Sequence, residues 1–281
     1  MSTSARADLH VHTTASDGAL TPEGAVDLAG SLGLAAVALA DHDTVAGIEP
    51  AVRRSRERGG PPEVIPALEV NTEWRGRDIH ILGYFVEWED ERLARALARL
   101  RAARLARVER MLEKLAALGI RIPLDRVISL CEEGSVGRPH VARAMVEGGW
   151  VGSLREAFER YLGRGRPAFV ERYRFSPVEA VRVVRAAGGV AVLAHPGQEA
   201  TPALIRELVA AGLEGVEVRH PEHDERLERM YRAMARELGL VATGGSDCHG
   251  PGSAYGAALG SYTVEAGVVE ELRLRKEGRT K

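Results

Sequence analysis

Amide side chains are almost missing from this sequence: Asn71 is the single asparagine and Gln198 the single glutamine. Arginine far outnumbers lysine. Scarce thermolabile amides fit a thermophile, and GC-rich codon drift accounts for the same bias equally well. Cysteine is scarce too. Cys131 and Cys248 are too few for a disulfide framework, and their spacing matches no zinc-finger pattern. The chain has no run of about 18 apolar residues, so no membrane span is expected. Its N-terminal stretch MSTSARADLHVHT lacks the apolar centre of a signal peptide. The expectation is a cytoplasmic protein with no membrane partner. An excess of either charge is missing as well, the formal net charge being −2. Proteins that hold long duplexes through many phosphate contacts are more basic than this, so long duplex nucleic acid is not an expected partner. Small anions remain open, because bound metal ions add local positive charge that a residue count omits.

The 281 residues, 45% of them hydrophobic, suit one large α/β domain or one domain carrying an insertion. Short apolar stretches at 7–13, 35–43, 62–74 and 77–86 read as strands. Residues 21–33 read as a helix, with Thr21 as N-cap, Pro22 in the first turn and Gly33 as its stop. A second helix covers about 46–58. Strands alternating with helices of about a dozen residues imply βα units and a parallel sheet. In such sheets the chemistry sits at the C-terminal strand ends. From about 88 to 165 the character changes. A long helix over 93–119 carries leucines near heptad spacing with arginines between, which reads as an apolar packing stripe with a solvated basic face. Further helices cover 137–149 and 154–162. This stretch is expected to form an inserted helical subdomain (88–165) that covers the site, within a barrel formed by 1–87 and 166–281. The α/β pattern then resumes, with helices at 176–189, 201–212 and 224–238. Strands at 190–196 and 213–221 end in His195 and His220, and 239–250 carries GSDCH.

The chain has nine histidines: His10, His12, His42, His80, His140, His195, His220, His223 and His249. Most follow apolar runs. His10 and His12 form an HxH pair whose side chains share a face, because strand residues two apart do so. Asp17 follows in the loop, His42 lies between Asp41 and Asp43, and Glu69 sits in ALEV. His80 lies in DIHILG, His195 closes VLAHP, and Asp247 and His249 flank Cys248. Any one of these alone reads as a satisfied polar residue. Five strand ends delivering histidines and carboxylates to one sheet edge are harder to explain that way, because burying so many ionisable groups without a cation is costly. Mixed nitrogen and oxygen ligands suit manganese, iron or zinc. Cys248, alternating with Asp247 and His249, is expected to point away and pack. Asp41 and Asp43 are expected to support ligands or cap turns.

HVHTTASDG, ADHD, the glutamate of LEV, AHP and GSDCH, in this order, resemble the motifs of the PHP (polymerase and histidinol phosphatase) family of metallophosphoesterases. The resemblance runs from residue 8 to about 250. GRPH (137–140) and EVRHPEH (217–223) resemble the bacterial branch of nucleoside 3′,5′-bisphosphate phosphatases, some of which also remove nucleotides from the 5′ ends of short RNA. The resemblance implies an α/β fold, a distorted (β/α)7 barrel with an inserted helical subdomain, and two or three divalent metal ions, manganese first. It places His10, His12, Glu69 and Asp247 on one ion. Glu69 bridges to a second with His80 and His195, and Asp17, His42 and His249 hold the third. The expected reaction is hydrolysis of a 3′-phosphate by attack of metal-activated hydroxide on phosphorus, with two metals roughly 3.5–4 Å apart steadying attacking and leaving oxygens. Arg138 and His140 are candidates for gripping phosphate, and His220 for protonating the leaving hydroxyl or bonding a phosphate. His223 lies a turn further on. Small nucleotides and short single-stranded RNA are the expected partners. A histidinol-phosphate phosphatase or other small phosphomonoesterase, a PHP proofreading domain of a DNA polymerase, and a non-enzymatic metal-binding structural module are the alternatives.

Overall fold

The computed structural model describes residues 5–130, 136–171, 175–198, 200–251 and 256–278. The chain divides into two compact units, Met1–Ala96 with Phe175–Lys281, and Leu97–Arg174.

The first unit is built on one eight-stranded sheet. Its strands are β1 (Arg6–Val11), β2 (Ala36–Leu39), β3 (Glu63–Trp74), β4 (Arg77–Tyr84), β5 (Val190–Leu193), β6 (Gly215–Arg219), β7 (Val241–Gly244) and β8 (Val264–Glu265). They lie in the order β7-β6-β5-β4-β3-β2-β1-β8. The sheet curls into a nearly closed barrel. Val11 bridges Cys248, and the His12 N–H donates to the Cys248 carbonyl at 2.9 Å. Among the described residues, six helices lie wholly within this unit: α1 (Pro22–Ser31), α2 (Ile48–Arg58), α7 (Pro177–Ala186), α8 (Pro202–Ala211), α9 (Glu225–Leu238) and α10 (Gly267–Glu277). Three of them start alike. Thr21, Ser176 and Thr201 each accept a backbone N–H in the first turn, and proline follows at once. Asp224 caps α9 by accepting from the Leu227 N–H at 2.8 Å. Each such cap is worth about 1 kcal/mol, so local chemistry sets where the connecting helices begin.

The sheet is not wholly parallel. β4 runs antiparallel to both β3 and β5. The reason lies in the link after Trp74, where Arg75 and Gly76 both take left-handed backbone angles and make a two-residue hairpin in place of a crossover helix. A site residue on the reversed strand must therefore lie near its start, and His80 is the fourth residue of β4. β1 carries a register irregularity between Asp8 and Val11. Leu9 packs in the interior apolar cluster with Ala38, Val192 and Val241, whereas Val11 joins the outer cluster with Val26 and Leu39. A bulge shifts the in–out alternation there and re-aims the residues that follow.

The second unit begins within α3 (Glu91–Ala117) and contains α4 (Leu124–Ser129), α5 (Arg138–Glu147) and α6 (Leu154–Ala157), which continues as a π-helical turn over Phe158–Leu162. Its own core is formed by Val108, Met111, Leu115, Val127, Val141, Met145 and Leu162. Arg107 is buried and donates from Nε to the Val170 carbonyl at 2.8 Å. No described helix is long and apolar enough to cross a membrane.

Gly245, just past β7, has no room for a side chain: a Cβ there would meet the backbone nitrogen and Cβ of His10. Gly245→Ala is expected to destabilise the protein by about 1–3 kcal/mol, read as a lower denaturant midpoint. An unchanged midpoint would mean that β1 and the segment after β7 can separate freely.

Candidate metal centre

Glu69, near the middle of β3, is fully buried and forms the hub. His80 Nδ1 and His195 Nε2 each lie 2.9 Å from its Oε1. His42 Nδ1 lies 2.8 Å from Oε2, His12 Nε2 3.5 Å and His10 Nε2 3.6 Å. Asp247 approaches from the other side, its Oδ1 being 3.0 Å from His12 Nε2 and 3.4 Å from His10 Nε2. Asp17 lies at the open edge, within 3.7 Å of His12 and His42 and 3.5 Å of His249. The nine residues singled out from the sequence as ligands thus come together, although they span positions 10 to 249.

Strand ends and their turns aim these groups. Asp43 and Asp247 take left-handed backbone angles, with φ of 52° each, which aspartate tolerates better than most residues. Asp41 accepts from the Thr13 N–H and Oγ1 at 2.7 Å and from Ser16 Oγ at 2.6 Å, tying the β2 end to the loop after β1. Asp43 accepts from the Asn71 N–H at 2.9 Å, and the Asn71 amide lies 3.0 Å from His42 Nδ1. Cys248 is buried in the outer apolar cluster; Cys131 lies outside the described residues. A cleft of about 330 Å³ opens beside His80 and His195, lined also by Asp78, Gln198 and Glu222. Both of the chain's scarce amides therefore lie beside this cluster.

The charges are strongly perturbed. Burial opposes ionisation of Glu69, but His42, His80 and His10 outweigh it and hold its carboxyl well below the usual range. Burial likewise opposes charge on Asp17 and Asp247, yet His42 with its neighbours and His10 with its neighbours depress both. Burial also works against charge on His10, His195 and His249. In each case nearby carboxylates prevail and raise the basicity: Glu217 first for His10, Glu69 for His195 and Asp17 for His249. His12 goes the other way, lowered by burial and by His249 and His42.

The donor set fits divalent metal. His12 Nδ1 is buried without a hydrogen-bond partner among the described residues, and Glu69 Oε2, although His42 Nδ1 lies 2.8 Å away, accepts no well-directed hydrogen bond there. His10 Nε2 and His12 Nε2 face each other at 3.2 Å. Such atoms with lone pairs aimed at a common point are what a cation relieves. Three groups have ligand atoms within 4.8 Å of one another that cover most of the set: His12, Asp17, His42 and His249; His10, His12 and Asp247; and His42, Glu69 and His80. A fourth, His10, Glu69 and His195, shares the hub.

The remaining candidates differ in setting. His220, after β6, accepts the Glu222 N–H on Nδ1 at 3.2 Å, while Nε2 points at Asp247 Oδ2, 3.5 Å away. His223 bonds the Val218 carbonyl through Nδ1 at 2.9 Å, and its Nε2 accepts the Gly197 N–H at 3.1 Å. It clamps the turn after His195. Arg138 and His140 belong to the helical unit, in the first turn of α5, where His140 Nδ1 accepts the Gly137 N–H at 3.1 Å. Two buried carboxylates were given no role in the motif reading: Asp8, and Glu217, the first residue of EVRHPEH. Asp8 accepts from the Ser246 N–H at 2.9 Å and the Gly260 N–H at 2.8 Å, and burial lifts its pKa to about 6. Glu217 lies 3.1 Å from His10 Nδ1. Each is a lone acid inside an apolar strand, a signal visible in ADLHV and GVEVR.

Residues 8–118 match the PHP domain model. A 3′,5′-nucleoside bisphosphate phosphatase of Chromobacterium violaceum is 36% identical over 88% of each chain. A 5′-3′ exoribonuclease of Haemophilus influenzae is 36% identical over 87% of this chain and 90% of its own. Among solved structures, a protein of Bifidobacterium adolescentis assigned as a metal-dependent phosphoesterase superposes with a TM-score of 0.84, at 33% identity over 96% of each chain. With its barrel, its ionisable cluster and these relatives taken together, the chain belongs to the PHP family of metal-dependent phosphoesterases.

Proposed function

We propose that His10, His12, Asp17, His42, Glu69, His80, His195, Asp247 and His249 hold two or three divalent ions, manganese first and iron or zinc compatible. The substrates we assign are nucleoside 3′,5′-bisphosphates, which lose the 3′-phosphate, and short RNA, which loses 5′-terminal nucleotides. The observation that carries the reading is the convergence of nine donors around buried Glu69, with orphaned lone pairs among them. The nucleotide assignment draws on the two relatives and on GRPH and EVRHPEH. Both acts cleave an ester at a ribose 3′ oxygen, so one site serves both. The ions, when bound, supply positive charge for the phosphoryl oxygens and lower the pKa of water.

The chain's own residues do the rest. Glu69 and Asp247 hold the histidine rings in place from opposite sides. His220, with Nδ1 engaged by the Glu222 N–H, keeps its proton on Nε2 when neutral, which makes it a hydrogen-bond donor toward a phosphoryl or leaving oxygen. Arg138 offers phosphate a planar two-pronged donor. His140, in the same helical turn and with Nδ1 accepting the Gly137 N–H, is the second candidate for gripping phosphate in the helical unit.

Phosphate release by the manganese-loaded protein is the direct test. Adenosine 3′,5′-bisphosphate or a 5′-phosphorylated RNA dinucleotide is expected to exceed histidinol phosphate by at least about tenfold, roughly 1.4 kcal/mol of transition-state preference. A preference for histidinol phosphate would leave the metal centre standing and remove the nucleotide assignment. Asp17→Asn and His249→Ala are each expected to lose one ion with the fold retained. Their turnover should fall at least about a hundredfold, roughly 2.7 kcal/mol. Wild-type metal content in both would refute the ion at the open edge.

Metal uptake should also depend on pH. His10, His195 and His249 are more basic than usual without metal, so ions must displace protons from them. Manganese binding at pH 7 is expected to release protons, and affinity to rise with pH through the raised values. In the metal-free protein these histidines contribute stability that is full below the unfolded histidine pKa of about 6.5. That stability is lost as pH rises through their folded values. Asp17, Glu69 and Asp247 contribute stability that is present above an unfolded pKa of about 4 and lost as pH falls through their depressed values. Calorimetry in two buffers of different ionisation heat reads the proton release; identical heats would contradict it.

A further inference from the structure

Glu217 is the third residue of β6, fully buried, with valines on both sides. Its Oε1 lies 3.1 Å and its Oε2 3.3 Å from His10 Nδ1. Oε2 also accepts the backbone N–H of His195 at 2.8 Å. One carboxylate therefore grips a side chain on β1 and the backbone at the end of β5. β1 and β6 are not neighbours in the sheet, so the contact crosses the interior of the barrel.

A carboxylate only accepts hydrogen bonds. Facing Glu217, His10 must carry a proton on Nδ1, which leaves the Nε2 lone pair directed at His12 Nε2, Asp247 Oδ1 and Glu69 Oε2. His220 is set the opposite way, because the Glu222 N–H occupies its Nδ1. Two histidines in one group with Glu217 thus have opposite tautomers, one suited to ligating through Nε2 and one to donating from it. We infer that Glu217 is a positioning residue that fixes the ligating tautomer of His10 and anchors the turn that carries His195. The inference rests on the ligand set proposed above. Supporting carboxylates of this kind orient a ring and raise its basicity toward the ion.

This tautomer makes an unusual demand on the conservative variant. In Glu217→Gln one oxygen becomes NH2. The His195 N–H claims the remaining oxygen, so the amide NH2 faces His10 Nδ1 and drives the ring proton to Nε2, where it blocks ligation. Glutamine should therefore weaken the ion as much as alanine does, despite keeping the shape.

Zinc affinity by chelator competition, read with ¹⁵N-histidine spectra of the metal-free protein above its histidine titrations, tests this. Expected are a 10–100-fold weaker ion at His10 in both Glu217→Gln and Glu217→Ala, and a His10 proton moved from Nδ1 to Nε2 in the glutamine variant. The ion held by Asp17, His42 and His249 should remain, which also checks the fold. Wild-type affinity in both variants, with the Nδ1 proton retained in Glu217→Gln, overturns the proposal. So does loss of the same ion in His220→Ala, because Glu217 and His220 would then be ligands themselves. Full zinc content in His10→Ala overturns the ligand set beneath the proposal, whereas zinc loss there with unaffected Glu217 variants overturns the proposal alone.

Discussion

Glu69 is a negative charge held out of water by five imidazoles, and the rest of the first unit is arranged around that fact. Placing a carboxylate at such depth costs several kcal/mol unless positive charge or donors surround it. His10, His12, His42, His80 and His195 supply them from four strands and their ends. Without metal the cluster balances itself by sharing protons among rings and acids. With metal, on the ligand set proposed above, the protons would be exchanged for ions and the same atoms would serve as ligands. The phosphoesterase chemistry of the family uses this exchange, because phosphate esters repel anionic nucleophiles until positive charge is placed beside them.

Two departures from a regular βα barrel bring these groups to one place. The hairpin at Arg75–Gly76 reverses β4, so its fourth residue reaches the edge where other strands offer their last. The register irregularity in β1 lets Leu9 pack in the interior while the following histidines face the cluster. Each irregularity gives up regular pairing and gains a placement that strict alternation forbids.

Much of this was legible in the residues. The cap Thr21 with Pro22 marked the start of α1 to within a residue or two. Histidines after apolar runs marked the cluster edge. The reversal of β4 was legible but not read: only Arg75 and Gly76 separate the two runs, too few for the crossover that a parallel pair needs. The roles of Asp8 and of Glu217, which opens EVRHPEH, were hidden because each lies inside an apolar strand and their partners are more than 200 positions away. Local pattern carries no information about contacts at that separation. The short β2, Ala36–Leu39, ended sooner than its apolar run suggested because Asp41 turns to bind Thr13 and Ser16.

Asp8 has a further implication for how the protein comes into being. It staples the first strand to Ser246 and Gly260, and His10 and His12 meet Asp247 next to it. A ribosome therefore delivers six of the nine donors, His10 to His80, well before His195, and Asp247 and His249 later still. Since domains generally fold as units during synthesis, this barrel has to wait. Until the stretch from Ser246 to Gly260 has emerged, the nascent chain holds histidines with no completed cavity, and the full donor set cannot close on a metal.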